Sequence, residues 1–339
     1  MPRLSFHVLI GLLLVAALGR PAGAQEAPEA RRYALLIGGL GGQPAYTEAF
    51  RTYLFETRRA LIERFGLPES HVTVLAEPRL QDEPFVEDVS SAEVIRARFE
   101  ALAARVTPAD EVFVWLFGHG SADAGGARLN IPRRDLADAD YAALVEALPA
   151  ERIVFINTAP ASAPFIEHLS APGRIVITAT RTPSQRNETR FPQYLVEALT
   201  TPAADLDRDG ALSVREAFVY AAEATDRSFR EANTLPTEDA LLDDDGDGVG
   251  HRVGELAESP DGHLAAVTYF GRREPALAAG GPAGEETAAL LQERDALERA
   301  IADLKSRKAR LDEDDYYAQL EALFVRLARL NERLDPQTP

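Results

Sequence analysis

The stretch "EVFVWLFGHGSADAGG", residues 111–126, contains the pattern that decides the fold. Its first part, up to Phe117, is almost continuously apolar, as expected of a strand that is covered on both faces of a parallel sheet. Gly118, His119 and Gly120 follow at once, and then comes a polar, glycine-rich segment. A histidine held between two glycines at the end of a buried strand either takes part in chemistry or fills a tight turn.

Strand and helix patterns alternate along the chain around this stretch. Further strands are predicted at 33–39, 71–77, 152–157 and 174–180, and helices at 45–66, 90–106, 138–148 and 190–200. The alternation predicts one α/β domain over 31–271, with a mostly parallel sheet flanked by helices. Because ligand sites lie at the carboxyl ends of parallel strands, we expect His119 and the 157–163 loop at the same edge of the sheet.

The two ends of the chain have a different character. Residues 1–24 combine an early arginine, an apolar run and a small-residue cleavage site, which is typical of a secretory signal peptide. This predicts a secreted or periplasmic protein whose mature chain has no membrane span, and the alternative is an uncleaved segment that anchors the protein to the membrane. After a Pro/Gly/Ala-rich linker at 275–284, the leucine spacing of 285–335 predicts a helical hairpin or a coiled coil. These helices either pack back on the domain or mediate self-association.

Composition limits the classes of partner. The chain is 46% apolar and 27% charged, which is typical of a globular protein. Its net charge of −18 argues against a nucleic-acid partner and suits divalent cations. The chain has no cysteine, so no disulfide can stabilise an exported form.

The most specific motif is "DLDRDGALSVRE", residues 205–216, which matches the EF-hand calcium loop at its diagnostic positions. A calcium ion needs six to eight oxygen ligands, the glycine at loop position 6 permits a sharp turn, and the final glutamate offers both carboxylate oxygens. The predicted Ca²⁺ ligands are Asp205, Asp207, Asp209, the Ala211 backbone carbonyl, Ser213 and Glu216.

A second acidic run, at 243–254, matches the same pattern only in part. It offers Asp243, Asp245 and Asp247 at loop positions 1, 3 and 5, and the carbonyl of Val249 at position 7. Position 12 is Gly254, so the bidentate glutamate is missing, although Glu255 is a candidate substitute. A second calcium site and a plain turn rich in aspartate both remain open.

Four stretches in this order resemble the caspase-like fold, and most of all the legumain-like cysteine peptidases. They are "VWLFGHGS" (114–121), "RIVFINTAPASAPF" (152–165), "RIVITATRTPSQRNETRF" (174–191) and "DALLDDDGDGVG" (239–250). The resemblance covers roughly residues 31–271 and implies a Cys/His dyad, in which His119 is the histidine. The position of the cysteine falls on Ala159 or Pro160, and neither residue can act as a nucleophile.

Two classes of function follow. In the first, the chain is a calcium-binding pseudo-peptidase that acts as a binding or scaffold module for a peptide or protein partner, with a vestigial His119. In the second, it is an active peptidase or esterase in which Ser162 or Thr158 replaces the thiol; such a hydroxyl needs a positioned base and an orienting partner. An unrelated α/β binding protein is a third reading.

Overall fold

The computed structural model describes residues 30–271, 282–306, 308 and 311–334. The predicted signal peptide, residues 1–24, and the part of the predicted linker up to residue 281 lie outside the described residues. No helix in the described ranges is long and apolar enough to cross a membrane.

The centre of the molecule is a seven-stranded sheet in the order β10-β9-β8-β4-β1-β2-β3, parallel throughout except for β10 at one edge. β4, the strand of the opening stretch, is buried along its whole length and lies between β1 and β8. The predicted α/β class with a mostly parallel sheet is therefore confirmed. The strands are Arg32–Gly38 (β1), Val72–Ala76 (β2), Asp88–Val89 (β3), Glu111–Phe117 (β4), Gly120–Asp123 (β5), Gly126–Leu129 (β6), Leu136–Ala137 (β7), Arg152–Asn157 (β8), Arg174–Thr178 (β9) and Leu241–Asp243 (β10).

Helices cover both faces of this sheet, as the continuously apolar strands require. On one face α1, α5, α6 and α7 pack around residues such as Leu54, Leu195 and Phe218. On the other face α2, α3 and α4 pack around Phe99, Tyr141 and similar side chains. The helices are Pro44–Arg59 (α1), Ala92–Ala103 (α2), Asp138–Glu146 (α3), Pro164–Leu169 (α4), Phe191–Thr200 (α5), Val214–Glu231 (α6), His263–Ala266 (α7), Pro282–Ser306 (α8) and Glu313–Leu334 (α9).

The segment after His119 is not a simple turn. It forms β5, β6 and β7, a separate antiparallel sheet. The sequence pattern misses these strands because they are short and polar, and because their outward-facing residues are exposed or half-buried.

The C-terminal helices form a hairpin instead of one long rod. Leu290 and Leu297 of α8 pack with Leu330 of α9, as the leucine spacing predicts. The end of α8 also contacts the domain, because Arg152 Nη2 donates to Asp303 Oδ1 at 3.0 Å and Ala302 joins the main core. α8 begins at Pro282, so the last three residues of the predicted linker are helical.

Candidate functional site

His119 lies at the carboxyl edge of the sheet, directly after β4. Its half-buried ring has Nε2 at 3.2 Å from the Gly41 carbonyl oxygen, and a carbonyl can only accept, so Nε2 carries the proton. Tyr46 and Phe50 approach the ring edge-on, with centroid distances of 4.6 and 5.2 Å. Among the described residues no carboxylate bonds to this ring. The histidine is therefore held by a carbonyl and two aromatic rings, without the acidic partner that orients a general base.

The loop that follows β8 lies beside His119, as the strand topology requires. An added Cβ at Gly120 would lie 2.2 Å from the Pro160 carbonyl oxygen, so this backbone and the loop are already in close contact. Gly118 is less confined, because its Cβ would meet a methyl at the end of the Leu129 side chain at 2.8 Å and the Gly39 backbone at 3.1 Å. Neither glycine has a positive φ. Gly118 lies at a bend, as the prediction of a turn at the end of β4 requires, and both glycines also permit close packing of neighbouring segments.

Replacement of Gly120 by alanine is accordingly expected to lower the free energy of unfolding by about 1–3 kcal/mol, the usual cost of overpacking. The matched control is Gly254→Ala, because nothing lies within 4 Å of a Cβ at Gly254. Urea unfolding curves of both variants measure the difference. Equal stability of the two variants would contradict the close approach between this segment and the 158–162 loop.

The candidate nucleophiles are buried and engaged in other bonds. Thr158 Oγ1 donates to the Leu116 carbonyl oxygen at 2.7 Å, and Ser162 Oγ lies 3.1 Å from Thr180 Oγ1. Both side chains are 1% exposed, and neither hydrogen bonds to His119. The structure therefore brings the loop to the histidine but does not pair either hydroxyl with its ring.

The position that the resemblance implies for the cysteine is also buried. Ala159 and Pro160 are buried, and Ala161 has a φ of 55°, a left-handed conformation that tightens the loop. The cavity between His119 and the loop measures about 10 Å³, which is the room needed by about one water molecule. The space directly beside His119 is therefore small, although a cavity of about 640 Å³ adjoins it and shares the lining residues Tyr53, Glu188 and Thr189.

The loop at 205–216 brings three carboxylates together. Asp205, Asp207 and Asp209 each offer an oxygen within 4.8 Å of the others. Asp205 Oδ2 accepts from the Gly210 amide at 3.0 Å, and Asp209 Oδ1 accepts from the Ala211 amide at 2.8 Å. The φ of 84° at Gly210 is readily adopted only by glycine. The set of oxygen donors fits a hard divalent cation.

Glu216 connects the two ends of this loop through hydrogen bonds. The buried Ser213 caps α6, and Glu216 Oε2 accepts from the Ser213 hydroxyl at 2.8 Å. Glu216 Oε1 accepts from the Leu206 amide at 2.8 Å, so one carboxylate connects the start and the end of the loop. Burial, followed by the charges of Asp209 and Glu216, raises the pKa of Asp207. A bound cation would offset this repulsion between carboxylates.

The second loop, which follows β10, is the more buried of the two. Asp243 and Asp245 are 0% and 9% exposed, Asp247 is exposed, and their oxygens also come within 4.8 Å. Asp247 Oδ1 accepts from the amide of Val249, whose side chain is exposed. Glu255 does not reach this loop as a substitute ligand, because both of its oxygens bond to Arg252.

Sequence reasoning missed two carboxylates here, Asp244 and Asp261, which are 0% and 1% exposed. Asp261 accepts from the Asp244 and Asp245 amides and lies 2.6 Å from Nδ1 of His251. The half-buried His251 is thus held by a buried carboxylate. The turn-forming run Ser-Pro-Asp-Gly at 259–262 was the available signal, although nothing in it points towards the loop.

The buried carboxyl groups of the second loop have pKa values above their usual range. Burial, followed by the charge of Asp261, raises the pKa of Asp243 to about 7. Burial also raises the pKa of Asp244 to about 7 and that of Asp245 to about 6. Near neutral pH these carboxyl groups are therefore only partly ionised, and a bound cation would favour their ionised form.

Comparison with protein-family models and with characterised proteins gives no match for this chain. The functional argument therefore rests on the residues and on their geometry.

Proposed function

We propose that the chain is a calcium-binding, catalytically inactive relative of the caspase- and legumain-like peptidases, acting as a binding or scaffold module. The observation that carries the proposal is the loop after β8, where the expected nucleophile position holds Ala159 and Pro160. Both are buried, and the chain contains no cysteine. A thiolate beside a base is the chemistry of the resembled family, and this chain lacks the thiolate.

The surroundings of His119 support the same conclusion. In a catalytic pair the histidine accepts a proton from the nucleophile and is oriented by a further group. Here its protonated Nε2 faces the Gly41 carbonyl, and the aromatic rings of Tyr46 and Phe50 occupy its sides. The Gly41 carbonyl therefore fixes the tautomer and leaves Nδ1 as the acceptor, but neither Thr158 nor Ser162 hydrogen bonds to this ring.

The alternative, a hydrolase that uses Ser162 or Thr158, has less support. The hydroxyl of Thr158 donates to the Leu116 carbonyl oxygen, and that of Ser162 lies in hydrogen-bonding distance of the Thr180 hydroxyl. Either side chain would have to leave a buried bond and turn before it could attack a substrate. The cavity that His119 and Thr158 line measures only about 10 Å³, so a substrate would have to be held in the adjoining cavity of about 640 Å³, next to Glu188 and Thr189.

Calcium has a structural role in this proposal. The ligand set at 205–216 lies between α5 and α6, and the second set, at 243–249, follows the edge strand β10. A Ca²⁺ ion at each loop would neutralise converging carboxylates and fix the segments that carry them. An exported protein without disulfides gains most from such ions. Secretion or export to the periplasm belongs to the proposal through the predicted signal peptide at 1–24.

The mature protein is expected to show no peptidase or esterase turnover, because no nucleophile is paired with His119. The assay compares the wild type with His119→Ala, Ser162→Ala and Thr158→Ala on a broad library of peptides and esters, with calcium present. Wild-type turnover that disappears both in His119→Ala and in one hydroxyl variant would establish the hydrolase instead. Turnover that survives in all three variants would point to a contaminating enzyme.

A further inference from the structure

The outer edge of β2 is open along its first half. β2 pairs with β1 over 72–75, whereas on its other side β3 pairs only with the last two residues of β2. The Val74 carbonyl oxygen accepts from the Glu87 amide on this outer side at 2.9 Å. Because alternate residues of a strand point their backbone groups the same way, the Val72 carbonyl also faces outward, and no described residue donates to it. Such an unpaired edge is a template for a further strand.

A cavity of about 400 Å³ lies at this open edge. It is bounded by Val72 and Thr73 of β2, by Phe85 and Glu87 of the segment before β3, and by the second half of α2. The buried Tyr33 of β1 supplies apolar surface beside them. The cavity therefore occupies the place that a strand beside the first half of β2 would take.

The cavity carries more positive than negative side chains, in a protein whose net charge is −18. Its charged lining residues, apart from His71, are three arginines and two glutamates, namely Arg58, Arg98, Arg105, Glu69 and Glu87. Arg58 forms an ion pair with Glu69. Arg98 has only loose partners, with Nη1 3.8 Å from Glu87 Oε2 and Nη2 3.4 Å from Asp88 Oδ2. The Arg98 guanidinium can therefore exchange these carboxylates for one of a ligand.

Arg105 is exposed, and no carboxylate of a described residue pairs with it. Its Nη2 donates to the Ser70 carbonyl oxygen at 3.2 Å, and its guanidinium carbon lies 5.2 Å from the ring centre of Tyr33. A guanidinium has five N–H donors, so most of those of Arg105 remain for a ligand. A carboxylate is the group that fits this planar fork best.

The open edge and the arginines select different parts of a ligand. An unpaired strand edge is satisfied by the backbone of another extended segment. The guanidinium groups of Arg98 and Arg105 are satisfied by carboxylates. An inorganic anion would satisfy the arginines only, whereas an extended acidic segment satisfies both features at once.

We propose that an extended acidic segment of a partner polypeptide adds a strand to the first half of β2. Its backbone would donate to the Val72 carbonyl, and its carboxylates would bind Arg98 and Arg105 on the side of α2. Side chains alternate between the two faces of a sheet, so acidic residues are expected at every second position of the segment. This inference names a partner class for the binding role proposed above and rests on that role, but not on the calcium loops.

Calorimetric titration of the full chain with the end-blocked peptide Glu-Val-Glu-Val-Glu tests the proposal at low and at physiological salt. The same peptide with every amide N-methylated keeps its charge but cannot donate to β2, so it should not bind. Arg105→Gln should weaken binding of the unmodified peptide roughly fivefold, as expected for one exposed ion pair. Equal affinity of the N-methylated peptide would refute strand addition, and equal affinity of Lys-Val-Lys-Val-Lys would refute the selection of acidic segments.

The matched control is Arg96→Gln, which removes an exposed charge from the same helix outside the cavity. Its affinity for the peptide should equal that of the wild type. Arg98→Gln is the second variant, since the loose partners of Arg98 make a loss of stability small, and it should also weaken binding. If Arg96→Gln and Arg105→Gln weaken binding equally, the attraction is diffuse and the site is refuted. Absence of peptide binding at millimolar concentration also refutes it, while the turnover assay tests the proposed loss of catalysis separately.

Discussion

Calcium at a hundredfold excess over the dissociation constant of the 205–216 loop is expected to raise the free energy of unfolding by roughly 2.7 kcal/mol. The gain arises because the folded loop gathers Asp205, Asp207 and Asp209, whereas the unfolded chain keeps them apart. Extracellular calcium modules have dissociation constants of order 10⁻⁴ to 10⁻³ M, so millimolar calcium is the relevant range. Thermal unfolding in EDTA and in calcium measures the effect.

The structure indicates which variant separates binding from folding. Glu216→Gln is a poor choice, because Glu216 also accepts from Ser213 and Leu206, and its loss weakens the metal-free loop. Asp207→Asn is better, since Asp207 is exposed and its pKa is raised by desolvation and then by the charges of neighbouring carboxylates. We expect this variant to be as stable as the wild type in EDTA and to lose most of the response to calcium.

The control for this experiment is Asp82→Asn, which removes an exposed charge far along the chain from both acidic loops. It should keep the full response to calcium. An unchanged melting temperature of the wild type between EDTA and excess calcium would refute calcium binding. If Asp207→Asn keeps the full response to calcium and Asp245→Asn loses it, calcium binds at the second loop and not at 205–216.

The sheet could be predicted because burial on both faces leaves a strong sequence signal. β4 and β8 lie within the predicted bounds, since each is an apolar run that ends at polar or small residues. β10 and the small sheet of β5, β6 and β7 could not be predicted in the same way. Their strands have two to four residues, which is too short for a clear pattern. The pairing of β10 depends in addition on a distant segment, with Thr178 opposite Leu241, whereas β5, β6 and β7 pair locally with one another.

One part of the candidate site could be predicted from local sequence spacing, and another part depends on tertiary packing. The EF-hand pattern is local, so the convergence of Asp205 and its neighbours is readable from spacing alone. Asp261 reaches the second loop only through tertiary packing, and its bond to His251 has no counterpart in sequence spacing.

Without divalent cations, the free energy of unfolding is expected to fall as the pH rises from about 5 to 7. Burial raises the pKa of Asp243, Asp244 and Glu238 to about 7, well above the values of the unfolded chain. In this range the folded state holds more protons than the unfolded state, so stability decreases with pH. The raised pKa of His251, which bonds to Asp261, acts in the same direction, since its contribution is also lost as the pH rises.

The opposite dependence holds at lower pH. The Arg31 and Thr107 bonds keep the pKa of Asp110 well below its usual range, so the stability that Asp110 contributes is lost only as the pH falls below about 4. Maximum stability of the metal-free protein is therefore expected near pH 5. Each group that is protonated only in the folded state lowers the free energy of unfolding by about 1.4 kcal/mol per pH unit as the pH rises. We expect at least this decrease between pH 5.5 and 6.5.

Urea unfolding in metal-free buffers from pH 5 to 8 measures this dependence. Asp244→Asn removes one of the titrating groups and should give a shallower decrease. Glu255→Gln is the matched control, because Arg252 lowers the pKa of Glu255 to about 2, and the group therefore does not titrate in this range. Saturating calcium should flatten the wild-type curve, since a cation stabilises the ionised carboxylates of the second loop. Stability that is constant or rises between pH 5 and 7 in metal-free buffer would show that these buried carboxyl groups are already ionised at pH 5.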